Sequence, residues 1–455
     1  FVWHIPLVYK NIRTGEEHTV WLKDKNATFQ IETNEDDIVH FNPGFVGFYV
    51  VKYDPLDWAK LGKRLLTNHS DFTATDRYSL LHDAFLLAET DRLIYDIPLE
   101  LTKYLKREKE PIPWNFFRDQ YLFFMSHLDP NSEAAKLLKV YVADLTSTLY
   151  DQYVKPNTVF DKSSFKKWKS TIISCSYTVP DLDFESLIID LACRTSNPEC
   201  LKAMYEEFLM WSQKQNITAD LHLVLEIAIE HYGHNTIWEY LYDEMTVSEA
   251  DETRKNLMAE GLASFRDPVL IQKTINVMAT DPKIDYKLAK YLYQNLINKP
   301  EALPHLWNYT KNNWDSLMTK LNSTNNPSIW ISKFCEKFKT KELFEDLTTF
   351  LRQVEISEYI ERGCYQDIQE ALDWLDKYEE SITTWVDIRY KVQMVDKIIL
   401  TPVKKYEQTC NRSLLPSDCE EESISLSTAV TYFACVYRTI CDKWKCQTCQ
   451  SSKEE

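Results

Sequence analysis

From Pro55 to about residue 395 the apolar residues recur with a helical period, segment after segment. A chain patterned this way folds as stacked helices. Arg77–Ala88 shows the pattern: Leu80, Leu81, Ala84, Phe85 and Ala88 share one face, with Asp76 placed to cap. The same reading predicts helices over Ile97–Arg107, Pro113–His127, Glu133–Tyr153, Phe165–Ser174, Phe184–Ala192, Glu199–Lys214, Ala219–His231 and Thr236–Glu244. It continues through Ser248–Leu262, Pro268–Ala279, Tyr286–Leu296, Glu301–Leu321, Ile329–Phe338, Lys341–Phe350 and Ile356–Trp385. The chain has only seven glycines in 455 residues, against ordinary usage of about 7%. That scarcity argues against turn-rich β architecture and Gly-rich phosphate loops. No strict period repeats, so the expected fold is mostly α, a HEAT-like α-solenoid of antiparallel helix hairpins.

The joint at which helices begin is Phe41–Trp58. Phe48–Tyr53 is rich in aromatic and β-branched residues and reads as a strand. Asp54-Pro55 then supplies an N-cap and a first helical residue. Upstream, Val2–Tyr9, His18–Leu22 and Thr28–Ile31 also read as strands, with a hairpin turn over Asn11–Glu17. The expected organisation is a partial, N-terminally truncated β-sandwich over 1–54, a helical solenoid over 55–395 and a cysteine-rich extension over 396–455. The sequence starts with Phe inside a strand pattern and reads as a fragment of a longer protein.

The net charge of −17 is spread without a basic block, which argues against a nucleic-acid partner. No run of 18 apolar residues is present to span a membrane; Leu426–Ile440 is fifteen residues long and contains Arg438. Six N-x-S/T sequons, at Asn26, Asn68, Asn216, Asn308, Asn322 and Asn411, exceed chance and predict glycosylation on the extracellular or lumenal side. Eleven cysteines agree with an oxidising compartment.

H-E-x-x-H is absent. Glu230-His231-Tyr232-Gly233-His234 has histidines at i and i+3 with no acid between them, and reads as a helix C-terminus ended by Gly233. Cys446-x-x-Cys449, near Cys441, has ligand-like spacing but reads as disulfide chemistry rather than zinc. No nucleophile-plus-base constellation and no phosphate loop is present, so no catalytic or metal residue is assigned. Cys193 and Cys200 flank an Asn197-Pro198 turn between two helices, which predicts a disulfide, with two buried thiols as the alternative.

These residues resemble the C-terminal half of zinc aminopeptidases related to aminopeptidase N, glutamyl aminopeptidase and the endoplasmic reticulum aminopeptidases. Val2-Trp3-His4-Ile5-Pro6-Leu7 with Trp21-Leu22 is similar to the family's V-W-x-x-P-[IL] strand and W-L pair. Gly47–Asp54 looks like G-Y-Y-R-V-x-Y-D, with Val50 where the family usually has Arg. Arg77, Asp83-Ala84-Phe85 and Leu87-Ala88 match R-x-x-[IL]-x-x-D-A-F-x-L-A, and Pro113-Trp114 matches M-P-W. Ala192–Cys200 matches A-C-x-x-G-x-x-x-C without its glycine, and Trp374 with Trp385 matches a closing W-x(10)-W helix. The family's second disulfide would fall at Glu226 and Ser264, and a cavity-facing arginine falls near Tyr359. The cysteine-rich tail has no counterpart.

The resemblance implies a non-catalytic region that closes over the active site of a zinc metalloaminopeptidase and shapes its peptide cavity. Zinc would belong to the intact parent, with no cofactor in this chain. Peptides would be met through the parent's catalytic domain, a homodimer is left open, and anchoring would come from a segment outside this sequence. Tyr359 and Arg362 are the expected cavity-lining residues. The rival reading is a catalytically dead extracellular peptide- or protein-binding protein on the same scaffold.

Overall fold

The computed structural model describes residues 3–34, 37–154, 184–214, 221–247, 251–354 and 358–395. The chain divides into a unit Phe1–Tyr390 and a unit Lys391–Glu455. The helix expected at Phe165–Ser174, the sequons Asn216 and Asn411, and the tail cysteines lie outside the described residues.

The first unit opens with a three-stranded antiparallel sheet, β1 (Ile5–Asn11), β2 (Glu17–Leu22) and β3 (Val39–Phe41), in the order β2-β1-β3. Tyr9 pairs with His18 on one side and Phe41 on the other, and its ring lies 5.2 Å from one and 5.7 Å from the other. The β1–β2 turn runs through Thr14-Gly15 as expected. Two expected strands are absent. Thr28–Ile31 is irregular and has no ladder partner, and Phe48–Tyr53 is also irregular.

Seventeen α-helices follow among the described residues. They are α1 (Pro55–Asn68), α2 (Ala74–Glu89), α3 (Asp96–Leu101), α4 (Pro111–His127), α5 (Glu133–Leu149) and α6 (Phe184–Arg194). Next come α7 (Pro198–Ser212), α8 (Leu221–Tyr232), α9 (Asn235–Thr246), α10 (Glu252–Ala263), α11 (Pro268–Thr280) and α12 (Tyr286–Ile297). The last are α13 (Leu303–Asn312), α14 (Trp314–Lys320), α15 (Ser328–Cys335), α16 (Lys341–Leu351) and α17 (Glu358–Val395). Local chemistry sets many starts. Asp54 caps α1 by accepting from Asp57 N, Thr73 and Asp76 form a capping box on α2, and Asp267 with Pro268 opens α11. The single helix expected over Glu301–Leu321 is two, broken at Asn313, whose φ of −132° leaves the helical region.

The helices pack in two rows. α2 packs on α4, α4 on α6, α6 on α8, α8 on α10 and α10 on α12, while α7 pairs with α8 and α9 with α10. Contact at every second helix is the packing of a solenoid of hairpins. Gly261 on α10 makes the closest approach possible: a Cβ there would stand 2.9 Å from Ile229 of α8 and 3.2 Å from Leu241 of α9. One hydrophobic core runs through the unit from Tyr53 to Val386, with Trp58, Trp114, Tyr95, Tyr104, Tyr293 and Trp307 fully buried.

The end of the array meets its beginning. On α17, Trp374 Nε1 donates to Tyr95 Oη across 3.2 Å, and its ring packs against Phe123, Phe124 and His127 of α4. One turn on, Tyr378 packs on Tyr95 at 4.8 Å and hydrogen-bonds Asp91. Trp385 meets Tyr141 of α5 edge to face at 5.2 Å.

Candidate functional site

The joint between sheet and helices is where polar chemistry is spent most heavily on shaping backbone. Asn42 sits at φ 56°, and its side chain brackets Gly47, donating to Gly47 O at 2.9 Å and accepting from Gly47 N at 2.7 Å. Gly44 takes φ 69°, where a side chain would be strained. Two aspartates of α2 hold the segment from below: Asp76 accepts from Gly44 N at 2.6 Å, and Asp83 accepts from Val51 N at 2.9 Å. Within Phe48–Tyr53 the Val51 N–H is committed to a side chain 32 residues away and Tyr49 N turns back to Gly47 O, so neither is offered to a neighbouring strand.

His40, buried on β3, places Nε2 3.2 Å from Asp76. Burial works to raise the Asp76 pKa, but the close His40 ring and the bonds from Gly44 and Thr73 outweigh it and hold the carboxyl well below the ordinary range. The result is a braced knuckle with Val46 and Phe48 fully in solvent and Val50 nearly half exposed.

A second constellation lies along the α4–α12 row. Arg118 donates to Asp190 at 2.6 Å, and Arg194 donates to Asp190 at 2.8 Å and to Glu226 at 3.4 Å. Lys299 donates to Glu226 at 2.7 Å. One turn along α8, Glu230 pairs with Arg266, which reaches Glu301 at 3.2 Å. Burial raises the Glu226 pKa, but Lys299 and Arg194 outweigh it and leave it lowered. At Glu230 burial prevails over Arg266 and Lys299, and the pKa is raised. This ionic seam stands where the resemblance would place a disulfide. Glu226 bridges two cations, while Ser264 Oγ donates to Glu260 O.

Cys193 and Cys200 are joined, Cα to Cα 5.3 Å, at the α6–α7 turn. Asn197 caps α7 there through Glu199 N and Cys200 N. Ser196, where the family pattern has glycine, takes φ 64°, so the missing glycine is one the backbone would use. A second disulfide that the sequence reading did not identify, Cys335–Cys364, ties α15 to α17. Asn26, Asn68, Asn308 and Asn322 are all exposed; Asn308 lies within α13, not at a helix end. Tyr359 and Arg362 both fall on α17, where Arg362 is exposed. A cleft of about 670 Å³ lies elsewhere, between α13, α14 and α16. Among the described residues no three His, Cys, Asp or Glu side chains are grouped to hold a metal. α8 ends at Tyr232, with Gly233 N returning to Ile229 O, so the His231–His234 pair belongs to a helix terminus.

Fold and site together define a helical, layered region whose joint with the sheet carries a braced apolar tip in solvent. Residues 38–389 match the ERAP1-like C-terminal domain family, and the chain belongs to it. It is 24% identical over 404 residues to glutamyl aminopeptidase of Bos taurus and 26% identical over 399 residues to endoplasmic reticulum aminopeptidase 2 of Homo sapiens. It is 24% identical over 401 residues to aminopeptidase A of Gloydius brevicauda. Each match covers 85% of this chain and 39% of the relative, so the chain spans about two fifths of the length of these curated relatives. No helix among the described residues is long and apolar enough to cross a membrane.

Proposed function

We propose that this chain is the region of a zinc metalloaminopeptidase that closes over the catalytic part and bounds the cavity receiving the peptide's tail. The observation that carries the reading is the knuckle. Its backbone is held by four hydrogen bonds from Asn42, Asp76 and Asp83 while Val46 and Phe48 stay in water, which favours a partner surface supplied by the catalytic part. The described donor set does not fit zinc, so the metal would belong to the parent's other residues and no step is routed through it here. Peptides are the substrates in this reading, the compartment is extracellular or lumenal, and the sequons carry glycans. Enclosure of the active site selects flexible peptides by excluding bulk protein and water.

The test joins this chain to the catalytic part of a relative, in trans or as a swap. Preference for long peptides should change, while cleavage of a single-residue reporter changes little. Equal response of both would reduce the region to a folding support. Binding of peptides without any restored turnover would favour the non-catalytic binding protein instead. Phe48→Ser should weaken association of the two parts without unfolding the chain.

A further inference from the structure

We propose that the cleft between α13, α14 and α16 seats the first sugars of an N-linked glycan carried by Asn308 of the same chain. This rests on the extracellular or lumenal reading above. The cleft is an open groove of about 670 Å³ lined by Lys311, Asn312, Asn313, Trp314, Phe350 and Gln353, among others. That volume lies in the range of small-ligand sites, about 300–1,000 Å³. Asn308 stands on α13 one turn before Asn312, and Asn312 Nδ2 donates to Asn308 Oδ1 at 3.4 Å. The wall of the cleft therefore reaches the acceptor side chain itself. Because that bond occupies the amide oxygen, Nδ2, the atom that carries a sugar, has no partner among the described residues. Asn68 differs, for its Nδ2 donates to Asp71 at 2.6 Å and its Oδ1 accepts from Ser70 at 2.8 Å.

The lining suits a pyranose. A sugar ring offers an apolar C–H face and a rim of hydroxyl and acetamido groups. Trp314 is half-buried and touches Phe350 edge to face at 5.3 Å, giving an aromatic surface for the C–H face. Asn312, Asn313 and Gln353 bring amides, and Lys311 brings an ammonium that is itself paired with Asp346.

The sequon's Thr310 is fully buried, its hydroxyl bonded to Tyr293 and to Leu306 O. Attachment therefore precedes the folding of α13. A lipid-linked pyrophosphoryl oligosaccharide is the donor: the Nδ2–C1 bond forms, the C1–O bond to pyrophosphate breaks, the pyrophosphate leaves with the electron pair, and Nδ2 loses a proton. The sugars then fold down onto the cleft.

The experiment uses the full chain secreted from animal cells. Glycopeptide mass spectrometry reads occupancy at Asn308 and Asn26. Hydrogen exchange then compares intact protein with protein stripped by a peptide N-glycosidase. A seated glycan should slow exchange in α13–α16 about threefold or more, and Trp314→Ala and Gln353→Ala should each abolish the difference. Asn308→Asp, the residue that stripping leaves, should exchange like stripped protein, and Asn308→Gln separates loss of the sugar from the new charge and supplies the control if Trp314→Ala does not fold. Sugar at Asn26 but none at Asn308 would overturn this proposal and leave the compartment reading standing. Absence of sugar at every sequon would overturn both. Occupancy at Asn308 with identical exchange before and after stripping would overturn the seat alone.

Discussion

Removing the Glu108 carboxylate should destabilise the first helices more than any other single loss of charge described here. Glu108 and Arg77 have side chains only 1% and 7% exposed. Arg77 Nε donates to Oε2 at 2.5 Å and its second terminal nitrogen to Oε1 at 2.9 Å. Oε1 also takes Lys109 N and Glu110 N, both at 2.9 Å, where the chain turns into α4. Arg77's remaining nitrogen donates to Phe72 O at 2.6 Å, tying in the turn before α2. Glu108→Ala would strand a guanidinium away from water and orphan two backbone donors. Breaking a buried pair this way costs about 3–5 kcal/mol. The double variant Arg77→Met/Glu108→Gln removes both charges and keeps an acceptor for the two amides, so it should cost about 1–2 kcal/mol. The singles Arg77→Met and Glu108→Gln and this double should then differ from additivity by about 2 kcal/mol or more. A chain of this length need not unfold in two states, so urea unfolding should be read together with hydrogen exchange in α2 and α4. A cost below about 1 kcal/mol for Glu108→Ala, or strict additivity, would refute the clamp.

Three further outcomes follow from the same reasoning. Asp76 has a folded pKa depressed below its unfolded value, so its contribution is present above about pH 4 and is lost as pH falls below that; Asp76→Asn should be less stable at neutral pH and flatten that acid-side loss in urea titrations. Ser196→Gly relieves a left-handed φ of 64° and should raise the urea midpoint by the equivalent of about 1 kcal/mol. Cys335 and Cys364 close a span of 29 residues and Cys193 and Cys200 a span of 7; serine pairs should therefore cost about 3–4 and about 2–3 kcal/mol respectively, and non-reducing peptide maps of secreted chain should recover both links.

The sequence conveyed helices well because their starts are local. Pro268 opens α11 where the sequence placed it, whereas α2 starts at Ala74, three residues before the expected Arg77, because Thr73 is the cap and Asp76, expected there, closes the capping box from the first turn. Asn313 gave no warning of its break: it is neither Pro nor Gly, and its side chain reaches back to Tyr309 O. The knuckle misled in the other direction. Phe48–Tyr53 has strand composition, but Asp83 takes its Val51 N–H and Asp76 holds Gly44 just upstream, partners 32 residues away that no local window contains. The ionic seam was equally hidden, since Arg118 and Asp190 are 72 residues apart and each alone reads as an exposed helix charge. The cleft depends on the break at Asn313, so it could not be seen while α13 and α14 were read as one helix.

Contact between Trp374 and Tyr95 spans 279 residues, which has a consequence for synthesis. At roughly 5–20 residues per second, about 14–56 s separate the emergence of the two rings from the ribosome. Throughout that interval the aromatic wall formed by Tyr95, Phe123 and Phe124 lacks its covering residue and is open to misassociation. Chaperone occupancy of the nascent chain should persist until α17 has emerged. Premature termination before Trp374 would damage the opening helices, hundreds of residues upstream of the stop, as much as the missing end.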